Sequence, residues 1–182
     1  MEKIIAIADE TQILWSKKPL IDRLSFLPNL SLLLIENKEE YASIITSEMH
    51  KPITQALAEV EKCALLCKYY YENAETFLAT KSIKTDASES YVVYEPLGVI
   101  LGIMPWNFPF WQVFRFAVPT LIAGNTVVVK HANNVPKCGE LIESIFNAAG
   151  FPKGCYQSST ARFSARFLPS SQTRPHRPSC LS

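Results

Sequence analysis

L-G-V-I-L-G-I-M-P-W-N-F-P, residues 97–109, is the stretch on which the fold turns. Leu97 to Met104 is a continuous apolar run, the pattern of a strand buried on both faces. Pro105 ends it, and an apolar stretch from about Phe110 to Ala123 follows. That stretch contains Gln112, Arg115 and Pro119, is too short to span a bilayer, and reads as a helix buried on most sides. Gly124-Asn125 supplies a C-cap and turn. T-V-V-V-K at 126–130 is a second strand, β-branched and apolar. Pro136 then opens a helix through Leu141, Ile142, Ile145 and Phe146 that stops at Gly150, with Pro152 beyond. Strand, helix, strand, helix predicts a parallel βαβα unit with right-handed crossovers, hence an α/β fold. Ligands of such sheets bind beyond the carboxyl ends of the strands. Two loops lie there, 104–109 and 131–135.

Upstream, the spacing of Ile4, Ile5, Ala8, Ile13 and Trp15 predicts a helix over residues 2–17. Pro19 fits the first position of a second helix, whose apolar period continues to Ile44. A third runs from near Pro52 to about Leu78, with the stripe Ile53, Leu57, Val60, Ala64, Cys67, Tyr71, Ala74 and Leu78. Glu59, Glu61, Lys62 and Lys68 fall on its other faces and read as a solvated side. After the polar stretch 82–90, Tyr91-Val92-Val93-Tyr94 reads as an edge or hairpin strand ended by Pro96.

The 182 residues suffice for one domain and are marginal for two. A net charge of +1 argues against a dedicated nucleic-acid or membrane-surface protein. Residues 1–157 carry 14 Lys+Arg against 17 Asp+Glu, whereas 158–182 carry four Arg and no acid. Those last 25 residues, with seven Ser and three Pro and no period, read as a disordered terminus; a basic tail of this kind can also touch RNA or acidic lipid. Cys63, Cys67, Cys138, Cys155 and Cys180 show no C-x-x-C pair and no Cys/His cluster, so reduced thiols in a cytoplasmic protein and no metal site are expected. No secretory signal pattern opens the chain.

Asn107 is the foremost site candidate. After a buried strand, and stiffened by Pro105 and Pro109, its amide can donate to an oxygen that becomes negative in acyl chemistry, with Trp106 and Phe108 as anchors. The alternative is an Asn that satisfies turn backbone groups. Lys130, ending a strand at the same edge, either binds nucleotide ribose or phosphate or simply reaches water. His131 is a loop histidine or a base. Cys138 lies in the first turn of a helix, where the dipole lowers a thiol pKa, or is a buried, inert thiol. Neither G-x-G-x-x-G nor a P-loop is present.

Y-E-P-L-G-V-I-L-G-I-M-P-W-N-F-P-F-W at 94–111 resembles the entry to the cofactor-binding domain of the NAD(P)-dependent aldehyde dehydrogenase superfamily. A-G-N-T-V-V-V-K-H-A-N-N-V-P at 123–136 is similar to that family's next strand and adenosine-contacting loop. T-S-E-M-H-K-P-I-T-Q-A-L-A-E-V-E-K-C-A at 46–64 and A-A-G-F-P-K-G at 148–154 extend the match, which covers about residues 5–157. K-H-A-N-N-V-P is more like the succinate-semialdehyde branch. The resemblance implies N-terminal helices (1–80) joined to the first half of a doubly wound, Rossmann-like dinucleotide-binding sheet (81–157), truncated. It implies oxidation of an aldehyde to its carboxylic acid with NAD or NADP through a Cys thiohemiacetal, in a family that forms homo-oligomers.

Carried onto this chain, Asn107 matches the oxyanion donor, and Pro105 and Trp106 the segment beside the nicotinamide. Lys130, Ala132 and Asn133 match the adenosine-ribose loop. Asn133 stands where some members have a Glu, and a neutral amide does not repel a 2′-phosphate. His50 replaces the Gly usual before K-P, which puts that bend in question. The family's Cys nucleophile, its Glu base in an E-L-G-G-type segment and its pyrophosphate loop have no counterpart in these residues. The resemblance therefore implies a chain inactive alone, whose residues 158–182 are not family sequence. Two other readings remain: a fragment that pairs with a full-length enzyme, and a nucleotide-binding module without chemistry.

Overall fold

The computed structural model describes residues 2–159. Its centre is a parallel sheet in the order β3-β4-β5, formed by β3 (Val99–Ile103), β4 (Thr126–Lys130) and β5 (Tyr156–Ser159). β3 pairs with β4 from Val99↔Thr126 to Ile103↔Lys130, and β4 with β5 from Val127↔Tyr156 to Lys130↔Ser159. α6 (Trp111–Ile122) and α7 (Pro136–Ala148) are the two crossovers between successive strands. The α/β expectation and the βαβα unit hold. Gly124 has φ +92°, the left-handed conformation that ends a helix where a Cβ would be strained. The side chain of Asn125 then accepts from Leu97 N at 2.6 Å and Gly98 N at 3.0 Å, tying the turn to the start of β3.

β3 departs from the strand buried on both faces: Leu101 is 48% and Ile103 71% exposed. The buried strand is β4, where Val127, Val128 and Val129 are shielded. An apolar run marks what a strand would pack against, and β3 is an edge strand of this sheet. β5 was not expected. It carries backbone pairing through Ser158 and Ser159, past the composition shift at 157, while the tail 160–182 lies outside the described residues.

α1 (Glu2–Trp15) packs against the strands, the Thr126 hydroxyl donating to Ala8 O at 3.0 Å and the Gln157 amide to Ile4 O at 2.8 Å. Trp15 Nε1 donates to Leu121 O, and Arg23 Nε to Ile122 O, so both satisfy carbonyls at the C-terminus of α6. The single second helix expected from Pro19 to Ile44 is three: α2 (Leu20–Leu24), α3 (Leu27–Glu36) and α4 (Lys38–Met49). Pro28 sits in the first turn of α3 and breaks continuity there, and Asn37, outside helical geometry, separates α3 from α4. Apolar period persisted across breaks because all three bury residues in one core with Phe110, Phe114 and Phe146. β1 (Lys81–Ser82) and β2 (Tyr91–Val92) form a separate antiparallel ribbon, as the hairpin reading of 91–94 anticipated.

α5 (Ile53–Leu78) is the long helix expected, but its buried stripe is rotated. Ala56, Glu59, Val60, Cys63, Ala64, Cys67 and Ala74 are buried, whereas Ile53 is 45% and Tyr71 46% exposed. Small residues face the tight contact with α3 and α6, where larger side chains would hold the helices apart. Glu59, expected in solvent, is therefore inside. Ahead of α5, His50 has φ +56°, so the bend that a Gly would make is kept by a side chain in the left-handed region.

Candidate functional site

The carboxyl edge of the sheet brings the two predicted loops together. Ile103 pairs with Lys130, and Met104 N donates to Lys130 O at 2.9 Å, so the ladder continues one residue into the first loop. Pro105, Trp106, Asn107 and Phe108 follow on the surface. Trp106 is 52% and Phe108 44% exposed, so neither anchors the loop as expected. The anchor is Phe110, fully buried and stacked on Tyr41 and Phe114.

The loop's polar hold comes from residues that spacing did not single out. Lys51 and Glu59 form a buried ion pair, with side chains 5% and 1% exposed. Glu59 Oε1 accepts from Phe110 N at 2.9 Å and Trp111 N at 3.0 Å, the opening N–H groups of α6. A carboxylate there meets both unpaired donors and the positive end of the helix dipole. Lys51 Nζ also donates to Asn107 O at 2.8 Å and lies 4.0 Å from the centroid of the Phe108 ring. Among the described residues the Asn107 side chain makes no hydrogen bond, unlike a turn Asn that closes on its own backbone.

On the second loop Lys130 is half-buried, and its ammonium donates to His131 O and, at 2.9 Å, to Asn133 Oδ1. Ala132 is half-buried, Asn133 is exposed, and Val135 N closes the turn on Ala132 O. His131 turns inward rather than toward the site: it is 4% exposed and its Nε2 lies 3.4 Å from the Tyr156 hydroxyl. Burial, reinforced by the Lys130 charge, lowers its pKa to about 4, so it is a neutral core imidazole at neutral pH. A Cβ on Gly139 would stand 2.8 Å from its ring, which accounts for glycine at that point of α7.

Glu48 repeats the device of Glu59 one helix on, its Oε1 and Oε2 accepting from Lys137 N and Cys138 N at 2.8 and 2.9 Å. The carboxylate cancels what the dipole of α7 would do for a thiol. Burial and the Glu48 bond push the Cys138 pKa up, and burial alone does so for Cys67. Burial likewise raises Cys63, and Cys155 to about 12. All four described cysteines are free and buried, and none is an activated nucleophile. No group of three or more metal-ligating side chains occurs among the described residues, and none of their helices is long and apolar enough to cross a membrane.

The model of the aldehyde dehydrogenase family matches residues 1–165. The chain belongs to that family. Over 152 residues it is 50% identical to a probable succinate-semialdehyde dehydrogenase of the NADP(+) type from Synechocystis sp., covering 84% of this chain and 34% of the relative. An Escherichia coli succinate semialdehyde dehydrogenase of the NAD(P)+ type is 44% identical over 142 residues, 78% of this chain and 31% of its own length. The solved succinic semialdehyde dehydrogenase from Streptococcus pyogenes, in complex with NADP+, superposes with a TM-score of 0.86 at 31% identity. That match covers 89% of this chain and 36% of the other. This aldehyde dehydrogenase chain thus spans about a third of the length of the curated relatives it matches. The family model's match ends at residue 165, inside the stretch 158–182.

Proposed function

We propose that this chain supplies the oxyanion donor and the adenosine-ribose contacts of an NADP(+)-dependent aldehyde dehydrogenase whose substrate is succinate semialdehyde. The observation that carries this is the exposed, unbonded Asn107 amide on a loop held at both ends, beside Lys130. When a thiolate adds to an aldehyde carbonyl, charge grows on the oxygen, and an amide N–H fixed in advance stabilises it without reorganising. The thiolate comes from outside the described residues, whose thiols are buried.

An ammonium has three donors, and Lys130 uses two within its own loop, so the third suits a ribose hydroxyl. Asn133 offers an amide rather than a carboxylate to that ribose, which fits NADP as well as NAD, and the cofactors of the relatives favour NADP. Pro105 and Trp106 would flank the nicotinamide, and Ala132 leaves room for the adenosine. Free thiols at all four described cysteines support a cytoplasmic compartment. The exposed Tyr91 and Val92 of the ribbon, with Val93 and Tyr94 after it, support self-association in the whole enzyme.

The test joins residues 1–159 to the remaining two thirds of the Synechocystis relative. The chimera is expected to form NADPH from succinate semialdehyde, whereas the purified 182-residue chain forms none. A folded chimera that binds NADP+ but turns over no aldehyde would sink the reading, as would turnover by the chain alone.

A second reading, pairing with a longer aldehyde dehydrogenase chain, is favoured by the exposed Leu101 and Ile103 of β3, an edge strand of the sheet, and by the exposed Leu97 ahead of it. Co-expression with the full-length relative is expected to recover both chains on one affinity tag. Recovery that persists undiminished in a Leu101→Lys/Ile103→Lys variant would count against it.

A further inference from the structure

The loop that carries Asn107 is pinned at three places. Met104 N donates to Lys130 O at its start, the Asn107 carbonyl accepts from Lys51 in its middle, and Phe110 and Trp111 N donate to Glu59 at its end. Two of the three pins belong to one buried ion pair, built from the residue after the left-handed His50 and from the second turn of α5. Between the pins Trp106, Asn107 and Phe108 are exposed, so packing does not fix their orientation. With its carbonyl turned inward to Lys51, the peptide plane of Asn107 is set and its side chain is left at the sheet edge.

We propose that Lys51 and Glu59 are positioning residues for Asn107, a strut that runs from α5 through the ion pair to the loop and holds the amide in its donating orientation. The proposal rests on the reading of Asn107 as the oxyanion donor. A buried pair by itself is weak evidence for stability, since desolvation offsets much of the attraction. This pair does more than neutralise itself. Each partner spends a further hydrogen bond on backbone, Lys51 on the Asn107 carbonyl within the loop and Glu59 on the start of α6 where the loop ends, so one pair fixes the segment at two points. The Phe108 ring under the ammonium, 4.0 Å away, restricts Lys51 from the other side.

The experiment is done on the 182-residue chain, using the side-chain amide signal of Asn107 in the 15N–1H spectrum, assigned by its loss in Asn107→Asp. Lys51→Met keeps the aliphatic stem and removes the ammonium. It is expected to shift or broaden the Asn107 signal and to lower hydrogen-exchange protection at Phe110 and Trp111 N–H by about tenfold. Lys38→Met, which breaks the surface pair with Glu61, is expected to change neither. Phe108→Leu, at an exposed position, is expected to move the Asn107 signal in the same direction by less, and it decides the question if Lys51→Met does not fold. An Asn107 signal that stays in place in the folded Lys51→Met chain, or in Phe108→Leu where that variant decides, overturns the proposal and leaves the pair a structural one. These spectra need no substrate. Failure of the oxyanion role would appear instead as unchanged turnover of the chimera carrying Asn107→Ala.

Discussion

Glu59→Ala is expected to lower the unfolding free energy of the chain by about 3–5 kcal/mol, the range for removing one partner of a buried ion pair. Three groups lose their partner together: the Lys51 ammonium and the N–H groups of Phe110 and Trp111. The ammonium keeps only Asn107 O as a hydrogen-bond partner, besides the Phe108 ring, in a site where Lys51 is 6% exposed. Glu61→Ala, two residues along the same helix, is the comparison. Its partner Lys38 sits in solvent, with side chains 36% and 44% exposed, and such pairs contribute about 0–1 kcal/mol. Urea unfolding followed by far-UV circular dichroism measures both, and the midpoint of Glu59→Ala should fall well below that of Glu61→Ala. Equal midpoints would show that the buried carboxylate is not what holds α6 to α5.

Asn107→Ala in the active chimera is expected to cut kcat by about 10²–10³, corresponding to the loss of one preorganised donor. The Michaelis constants for aldehyde and NADP+ should change little, because the donor meets charge that exists only after the thiolate has added. The fold should not notice, since the amide is exposed and bonds to nothing among the described residues. Asn107→Asp is the sterner variant: it keeps the shape but presents a carboxylate to a developing oxyanion. Steady-state kinetics decide the matter, and a fall of less than about threefold would return Asn107 to the role of an ordinary loop residue.

The order of strand and helix from Val99 to Ala148 was legible because each element carries its own local signal. Val127, Val128 and Val129 are β-branched and apolar, Gly124 takes a left-handed turn, and Pro136 opens a helix. The two loops could likewise be placed by topology alone. What could not be read was Glu59, whose partners stand at Lys51, eight residues back, and at Phe110 and Trp111, far along the chain. Its one local trace is its place among Ala56, Val60, Cys63, Ala64 and Cys67, a stripe of small residues that packs more closely than the larger Ile53 and Tyr71. Following size rather than hydrophobicity would have rotated the helix and put the carboxylate inside. The exposure of Leu101 and Ile103 had no local signal at all, because an edge strand and a central one read alike.

The carboxylates of Glu48 and Glu59 settle what the sheet edge can hold. Helix starts in doubly wound folds are natural seats for phosphate, since their N–H groups are unpaired and their dipoles attract anions. Here both seats are occupied from within. Pro109 and Pro136 have no N–H to offer. Phe110 and Trp111 give theirs to Glu59, Lys137 and Cys138 theirs to Glu48, and Gln112 and Gly139 close onto Phe108 and Val135. Those N–H groups are not open to a guest, and a phosphate at either helix start would meet a negative charge already in place. The missing glycine-rich loop and the two inward carboxylates are thus one design choice seen twice. This part of the molecule spends its helix fields on its own architecture, so neither helix start is an open seat for an anion.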